Sequence, residues 1–138
     1  MAESSIQNLR VYNLAYELEH KTINFVNSLP KVELYSMGNS LHRSSAAVSH
    51  YIYESHLKYS YTLKIDALHT AVAEAENTKR LLAECLEAKY PVPPELTEGY
   101  TSVSKQCWGL LKYLKTKRLE KETTSIAKSS NELVAART

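Results

Sequence analysis

The stretch LTEGYTSVSKQCWGLLKYL, residues 96–114, decides the fold class. Within it Leu96, Tyr100, Val103, Cys107, Leu110 and Leu114 recur at alternating intervals of four and three, with Trp108 and Leu111 alongside. A helix of 3.6 residues per turn puts that series on one face, and the spacing suits bundle packing at a shallow angle. Immediately upstream, Pro91-Val92-Pro93-Pro94 stops the preceding helix, and Glu95 sets a carboxylate near the positive end of the next. The preceding stretch carries Ile65, Leu68, Val72, Ala75, Leu82 and Leu86 on a seam broken by Lys79, with Ala71, Thr78, Leu81 and Cys85 beside it. It reaches Tyr90 without a Gly or Pro, and Ser60 is its candidate N-cap.

Farther upstream, Leu34, Met37, Leu41, Ser45, Val48, Ile52 and Ser55 mark a second helix. The small run Ser44-Ser45-Ala46-Ala47 at its centre would let another backbone approach. Val11, Ala15, Leu18, Thr22, Phe25 and Leu29 give a first helix over roughly residues 7 to 28, ended by Pro30. Three glycines in 138 residues are too few for the turns of a sandwich or barrel, so the pattern is all-α. Short connections at Pro30, Tyr59 and Pro91–Pro94 make successive helices antiparallel, which predicts an up-down-up-down four-helix bundle over residues 1–122. Residues 123–138, beginning Thr123-Thr124-Ser125 and including Ser129-Ser130-Asn131, read as a flexible polar C-terminal tail. The apolar faces of helices 1 and 3 are wider than a small core needs; burial in a homo-oligomer and ordinary exposure of apolar surface both account for that.

At 138 residues there is room for one domain, and 43% apolar with 23% charged residues is ordinary globular usage. No run approaches the ~20 apolar residues of a membrane span, and Met1-Ala2-Glu3-Ser4-Ser5 lacks the features of a signal peptide, so no membrane association and a cytoplasmic location are expected. Cys85 and Cys107 have neither a Cys-x-x-Cys nor a Cys/His partner and read as reduced packing residues.

Enzymatic chemistry has little support. A di-metal carboxylate bundle needs two Glu-x-x-His units, and only Glu17-Leu18-Glu19-His20 has that spacing; His50 and Glu54 stand without a counterpart. Ser44, Ser45 and Ser49 lie near His42 and His50 along one helix, where neighbours cannot assemble a nucleophile, a base and an orienting acid. Gly38, Gly99 and Gly109 are isolated, so no phosphate loop is present. The expectation is a protein that is not an enzyme, with no metal and no cofactor.

Charge is more informative. Residues 91–138 hold eight basic and five acidic groups, against nine and ten in residues 1–90. Lys105, Lys112, Lys115, Lys117, Arg118 and Lys121 face the single acid Glu120, making a candidate anion-binding face; cations near a helix C-terminus also complement its dipole. Helix 2 and its exit interleave Arg43, Tyr51, Tyr53, Lys58, Tyr59, Tyr61 and Lys64. Such a mixture stacks bases and holds phosphates, while Tyr51 and Tyr61 have an alternative as packed residues.

Several segments resemble the four-helix-bundle proteins encoded in intervening sequences of bacterial 23S ribosomal RNA genes. Leu29-Pro30-Lys31-Val32-Glu33-Leu34-Tyr35-Ser36-Met37 and Ser40-Leu41-His42-Arg43-Ser44 are similar to that family's Phe-Pro-x-x-Glu-x-Tyr-x-Leu and Gln-Leu-Arg-Arg-Ala/Ser segments. Ala71-Val72-Ala73-Glu74-Ala75-Glu76-Asn77-Thr78 resembles its Ala-x-x-Glu-x-Glu-Thr helix, and Asn8–Ala15 its opening helix. Ser49–Glu54 falls where the family has Ala-Asn-Ile-x-Glu, with His50-Tyr51 at the Ala-Asn pair and Ser55 at the following Gly or Ala. The resemblance spans about residues 8–118. It implies an antiparallel bundle assembling as a homopentameric barrel. Relatives similar in fold include the accessory protein of diversity-generating retroelements, which implies binding of RNA or DNA and of a reverse transcriptase through basic surfaces. By position, Arg43, Glu54, Glu74 and Glu76 match family-typical polar residues.

Together these readings predict an oligomeric module that binds nucleic acid, RNA more than DNA, through Arg43, Lys58, Lys64, Lys105, Lys112, Lys115, Lys117 and Arg118 with Tyr53 and Tyr59. The alternative is a scaffold or accessory subunit that docks a partner such as a reverse transcriptase.

Overall fold

Pro30, Ser60 and the Pro91–Pro94 run divide the chain where their chemistry requires. The computed structural model describes the backbone of residues 2–137 and the side chains of residues 7–135. Four helical stretches account for it: α1 (Ala2–Asn27), α2 (residues 31–57), α3 (Tyr61–Glu87) and α4 (Pro94–Arg137), with no strand among the described residues. Of α2, Lys31–Glu33 is a single α-turn, Leu34–Gly38 a π-helical turn and Asn39–Leu57 regular α-helix. Each helix packs against two others, in the cyclic order α1, α2, α3, α4, and the arrangement is a four-helix bundle.

The ends of α3 show how local sequence sets boundaries. Ser60 is extended, and its Oγ accepts a hydrogen bond from the Leu63 amide at 3.1 Å, capping one of the orphan donors at the helix start. At the other end the Tyr90 amide donates to the Cys85 carbonyl and the Lys89 amide to Leu86, the pairing of a Schellman cap. That cap places Lys89 at φ 71°, so α3 stops at Glu87 rather than continuing to Tyr90 as the uninterrupted sequence suggests. Leu86, expected in the seam, is 57% exposed.

The deciding stretch behaves as its spacing demands. Leu96, Tyr100, Val103, Cys107, Leu110 and Leu114 are all buried, against Val11, Ala15, Leu18, Phe25, Leu41, Val48, Ile52, Leu68, Ala75 and Leu82 from the other helices. Polar seam residues are satisfied. Thr22 Oγ1 donates to the Leu18 carbonyl and lies 3.3 Å from the Tyr100 hydroxyl, whose pKa burial pushes up to about 12. The small run of α2 lets helices approach closely: Ser44, Ser45, Ser49 and Ser55 are buried, each with a hydrogen bond.

Two expectations change. Helix α1 begins at Ala2, earlier than the periodicity shows. The segment 123–138, expected as a flexible polar tail, is helical as far as Arg137, while Thr138 lies outside the described residues. Residues 123–137 contain no Gly or Pro, and Ala127, Lys128, Glu132, Leu133 and Ala135 are strong helix formers. The polar composition expected of this segment agrees with its surface, since residues 119–135 are all exposed.

Candidate nucleic-acid interface

The basic surface grows out of the core seam of α4. The apolar series reaches Leu114; carried on at the same spacing it reads Arg118, Lys121, Ser125. At that level the facing element is the first turn of α3. Arg118 Nη1 donates to Thr62 Oγ1 at 3.4 Å, and Lys121 Nζ lies 5.9 Å from the centre of the Tyr61 ring. Ser60, Tyr61, Thr62, Arg118, Lys121, Glu122, Ser125 and Ile126 enclose an open groove of about 470 Å³. Two cations thus face the positive end of α3, whose first turn carries no acid. Beside the groove, Lys117 pairs with Glu120 at 3.3 Å and sits 5.7 Å from the Tyr113 ring; its hydrogen bond to Glu120, foremost, raises its pKa.

A second basic face follows three-four-three spacing on α4. Lys105, Lys112 and Lys115 are exposed along the half-exposed Trp108, with Lys115 Nζ 5.9 Å from the indole and His69 edge-on to it at 5.7 Å.

The residues expected on α2 are dispersed. Arg43 is exposed at a separate pocket between α2 and α3, lined with it by Ser40, Ser44, Glu74, Asn77, Arg80 and Leu81. Arg80 lies 18 residues beyond Thr62 on α3, about 27 Å along the axis. Lys58 is paired with Glu54 at 3.2 Å. Lys64 Nζ donates to the carbonyls of Ser55 at 3.3 Å and His56 at 3.0 Å, so it caps α2, and partial burial lowers its pKa. Tyr53 rests against Tyr12 at 5.7 Å, and Tyr59 is fully exposed next to the groove. Tyr51 and Tyr61 are half-buried, as the packing alternative has it.

Sequence reasoning left Thr62, Trp108 and Arg80 out of the site. Continuing the α4 seam past Leu114 would have pointed to the start of α3. Trp108 was readable only as a residue one position off the seam, where burial and exposure cannot be told apart.

Elsewhere, Glu17 pairs with Lys21 at 3.2 Å and His20 packs edge-on to Tyr16. Among the described residues no three His, Cys, Asp or Glu cluster to hold a metal, and no helix is long and apolar enough to cross a membrane. Cys85 and Cys107 are free and buried, and burial pushes the Cys107 thiol up to about 12.

Fold and surface define a small four-helix-bundle protein whose fourth helix outruns its partners and carries most of the basic excess. Residues 7–115 match the family model of the 23S rRNA-intervening sequence protein, and the chain belongs to that family. A crystal structure of a protein of unknown function from the S23 ribosomal protein family of Bacteroides thetaiotaomicron has the same fold. It superposes with a TM-score of 0.58 at 20% identity, covering 81% of this chain and 97% of that one. A search of curated proteins gave no match.

Proposed function

We propose that this chain is a non-enzymatic, oligomeric, cytoplasmic module that binds nucleic acid, RNA in preference to DNA, through phosphate contacts. One observation carries the reading: where the core seam of α4 outlasts the bundle it turns cationic, and Arg118 and Lys121 line a groove at the positive start of α3. Like charges gathered without a matching acid in that turn are relieved by a bound anion. The exposed Lys105, Lys112 and Lys115 extend the cationic surface along α4.

The finer architecture belongs to the same proposal. Hydrogen bonds join Asn8 to Ser55, Ser49 to Glu19, Ser44 to Thr78 and Ser104 to Glu76, supporting antiparallel neighbours in an up-down-up-down bundle. Leu9 and Tyr16 on α1 and Leu63 and Leu86 on α3, each about half exposed, supply apolar surface for subunit contacts. Five subunits is the number the family resemblance implies, and assembly repeats each basic patch around a ring.

The test is joint charge reversal, Lys112→Glu, Lys115→Glu and Arg118→Glu, with RNA and DNA titrations at several salt concentrations. Wild-type affinity should fall with salt with a log–log slope of about −0.7 per phosphate contact on a single strand, and the variant should lose roughly two units of slope at unchanged oligomer size. Salt-independent affinity, or an unaffected variant, would refute the reading. A second reading, an accessory subunit docking a partner such as a reverse transcriptase, is favoured by Leu119, Ile126 and Leu133, exposed at seven-residue intervals on α4. There, Leu119→Ser, Ile126→Ser and Leu133→Ser together would abolish capture of the polymerase while the charge variant left it intact.

A further inference from the structure

The pocket between α2 and α3 is set apart by its lining, which is polar except for Leu81. It is formed by two segments far apart in sequence, Ser40–Ser44 and Glu74–Leu81, both within the family match. Its floor is a hydrogen-bonded cluster: Ser44 Oγ lies 2.7 Å from Thr78 Oγ1, donates to the Glu74 carbonyl at 3.0 Å and accepts from Asn77 Nδ2 at 3.3 Å. Arg80 is held on both sides, Nη2 donating to Asn77 Oδ1 at 2.6 Å and Nη1 to Glu84 at 2.7 Å. A guanidinium fixed at its edges keeps its planar face for stacking.

The two remaining charges are unengaged. Neither the Arg43 guanidinium nor the Glu74 carboxylate has a hydrogen bond or ion pair among the described residues, although both line the same pocket. A complementary occupant presents acceptors to Arg43 and donors to Glu74. The volume, about 200 Å³, has room for one planar heterocycle, or about seven waters at ~30 Å³ each, and falls short of drug-sized ligands.

Guanine alone among the RNA bases offers two adjacent acceptors on one edge and two adjacent donors on another. Its O6 and N7 accept a bidentate pair from an arginine, and its N1–H and N2–H₂ donate to a carboxylate. Adenine and cytosine carry one amino donor with no ring N–H donor beside it, and uracil has the single donor N3–H, so none of the three can give a carboxylate two hydrogen bonds while giving an arginine two acceptors. We propose that this pocket receives an unpaired guanine base, Arg43 on its O6/N7 edge, Glu74 on its N1/N2 edge, and Arg80 with Leu81 against its face. The inference deepens the nucleic-acid reading and rests on it: the α4 surface supplies affinity for phosphates, and this pocket supplies choice of base.

The experiment uses the full chain and short single-stranded RNAs differing at one central base. Guanine should bind about 5- to 150-fold more tightly than adenine, with inosine and 7-deazaguanine intermediate because each lacks one recognised group. Arg43→Ala and Glu74→Gln, both at solvent-accessible positions, should bring guanine and adenine to within about twofold while leaving the salt slope unchanged. The Lys112/Lys115/Arg118 reversal should weaken all bases equally and keep the preference. Equal affinity of wild type for guanine and adenine, or a preference that survives both variants, overturns the proposal. A protein that binds no RNA at all refutes the phosphate reading instead, and titration with guanosine monophosphate then judges the pocket alone. A shift of the Asn77 side-chain amide resonances with that nucleotide and not with adenosine monophosphate supports the pocket; no shift, or the same shift with both, overturns it.

Discussion

Gly99 and Gly109 lie ten residues apart on α4, and replacing either with Ala adds the same methyl and the same helix-propensity gain of about 1 kcal/mol. Their surroundings differ completely. A Cβ on Gly99 would stand 2.8 Å from Leu18 Cδ1 and 3.1 Å from Leu18 Cγ, and closer still to Cδ2, well inside the ~3.5–4.0 Å of ordinary carbon contact. Leu18 is 3% exposed, so it cannot swing into water to make room. A Cβ on Gly109 meets nothing within 4 Å. Overpacking of this kind costs about 1–3 kcal/mol. Gly109→Ala should therefore stabilise by about 1 kcal/mol, and Gly99→Ala should leave stability unchanged to about 2 kcal/mol lower. The gap between the two variants, about 1–3 kcal/mol, isolates the steric cost because the propensity gain cancels. Urea unfolding at fixed protein concentration measures it as a difference in midpoint at constant slope. In a Leu18→Ala background the penalty at Gly99 should vanish, a coupling a double-mutant cycle reads directly. Equal stabilisation by both alanines would refute the close approach of α1 and α4.

At the end of α3, Lys89 holds the left-handed position that glycine fills without strain, so Lys89→Gly should raise stability by about 0.5–1 kcal/mol in the same assay; a loss would mean the cap is not as described. Alkali tests the core: burial raises Cys107 from 9.0 and Tyr100 from 10.0, each to about 12, so the unfolded chain releases these protons first. Their contribution is complete below pH 9 and is lost as pH rises toward 12, at about 1.4 kcal/mol per pH unit for each group. Cys107→Ala should flatten the urea-midpoint decline between pH 9 and 10, and an unchanged decline would show that the thiol is not the group responsible.

Periodicity made the core legible because burial on a helix repeats every 3.6 residues, and every seam residue named between Leu96 and Leu114 is buried. Helix ends were legible where a side chain does the capping, as at Ser60, and not where backbone geometry does, as at Lys89. Charge composition located the basic helix without showing which cations were already engaged. Lys64 is taken up by the carbonyls at the end of α2, Lys58 by Glu54 and Lys117 by Glu120. Such pairings depend on rotamers and on neighbours across the bundle. The meeting of Arg43 with Glu74 and Arg80 depends on the register between α2 and α3, which one-dimensional spacing does not encode.

The groove at the start of α3 stands against a design that favours stability alone. A helix N-terminus is stabilised by acids in its first turn; here that turn is Tyr61, Thr62 and Leu63, and the nearest charges from α4 are Arg118 and Lys121. Glu122 offsets part of the field from the groove wall. If the arrangement serves an anionic ligand, filling its place with a fixed carboxylate should improve the fold and harm binding together. Thr62→Glu puts that carboxylate in the first turn, within reach of Arg118, and should stabilise the free protein by about 0.3–1 kcal/mol. The same substitution should weaken RNA binding by several-fold, with the salt slope reduced by roughly one contact. A merely structural role for the cations predicts the gain in stability without the loss in affinity, and that outcome would remove the groove from the binding surface.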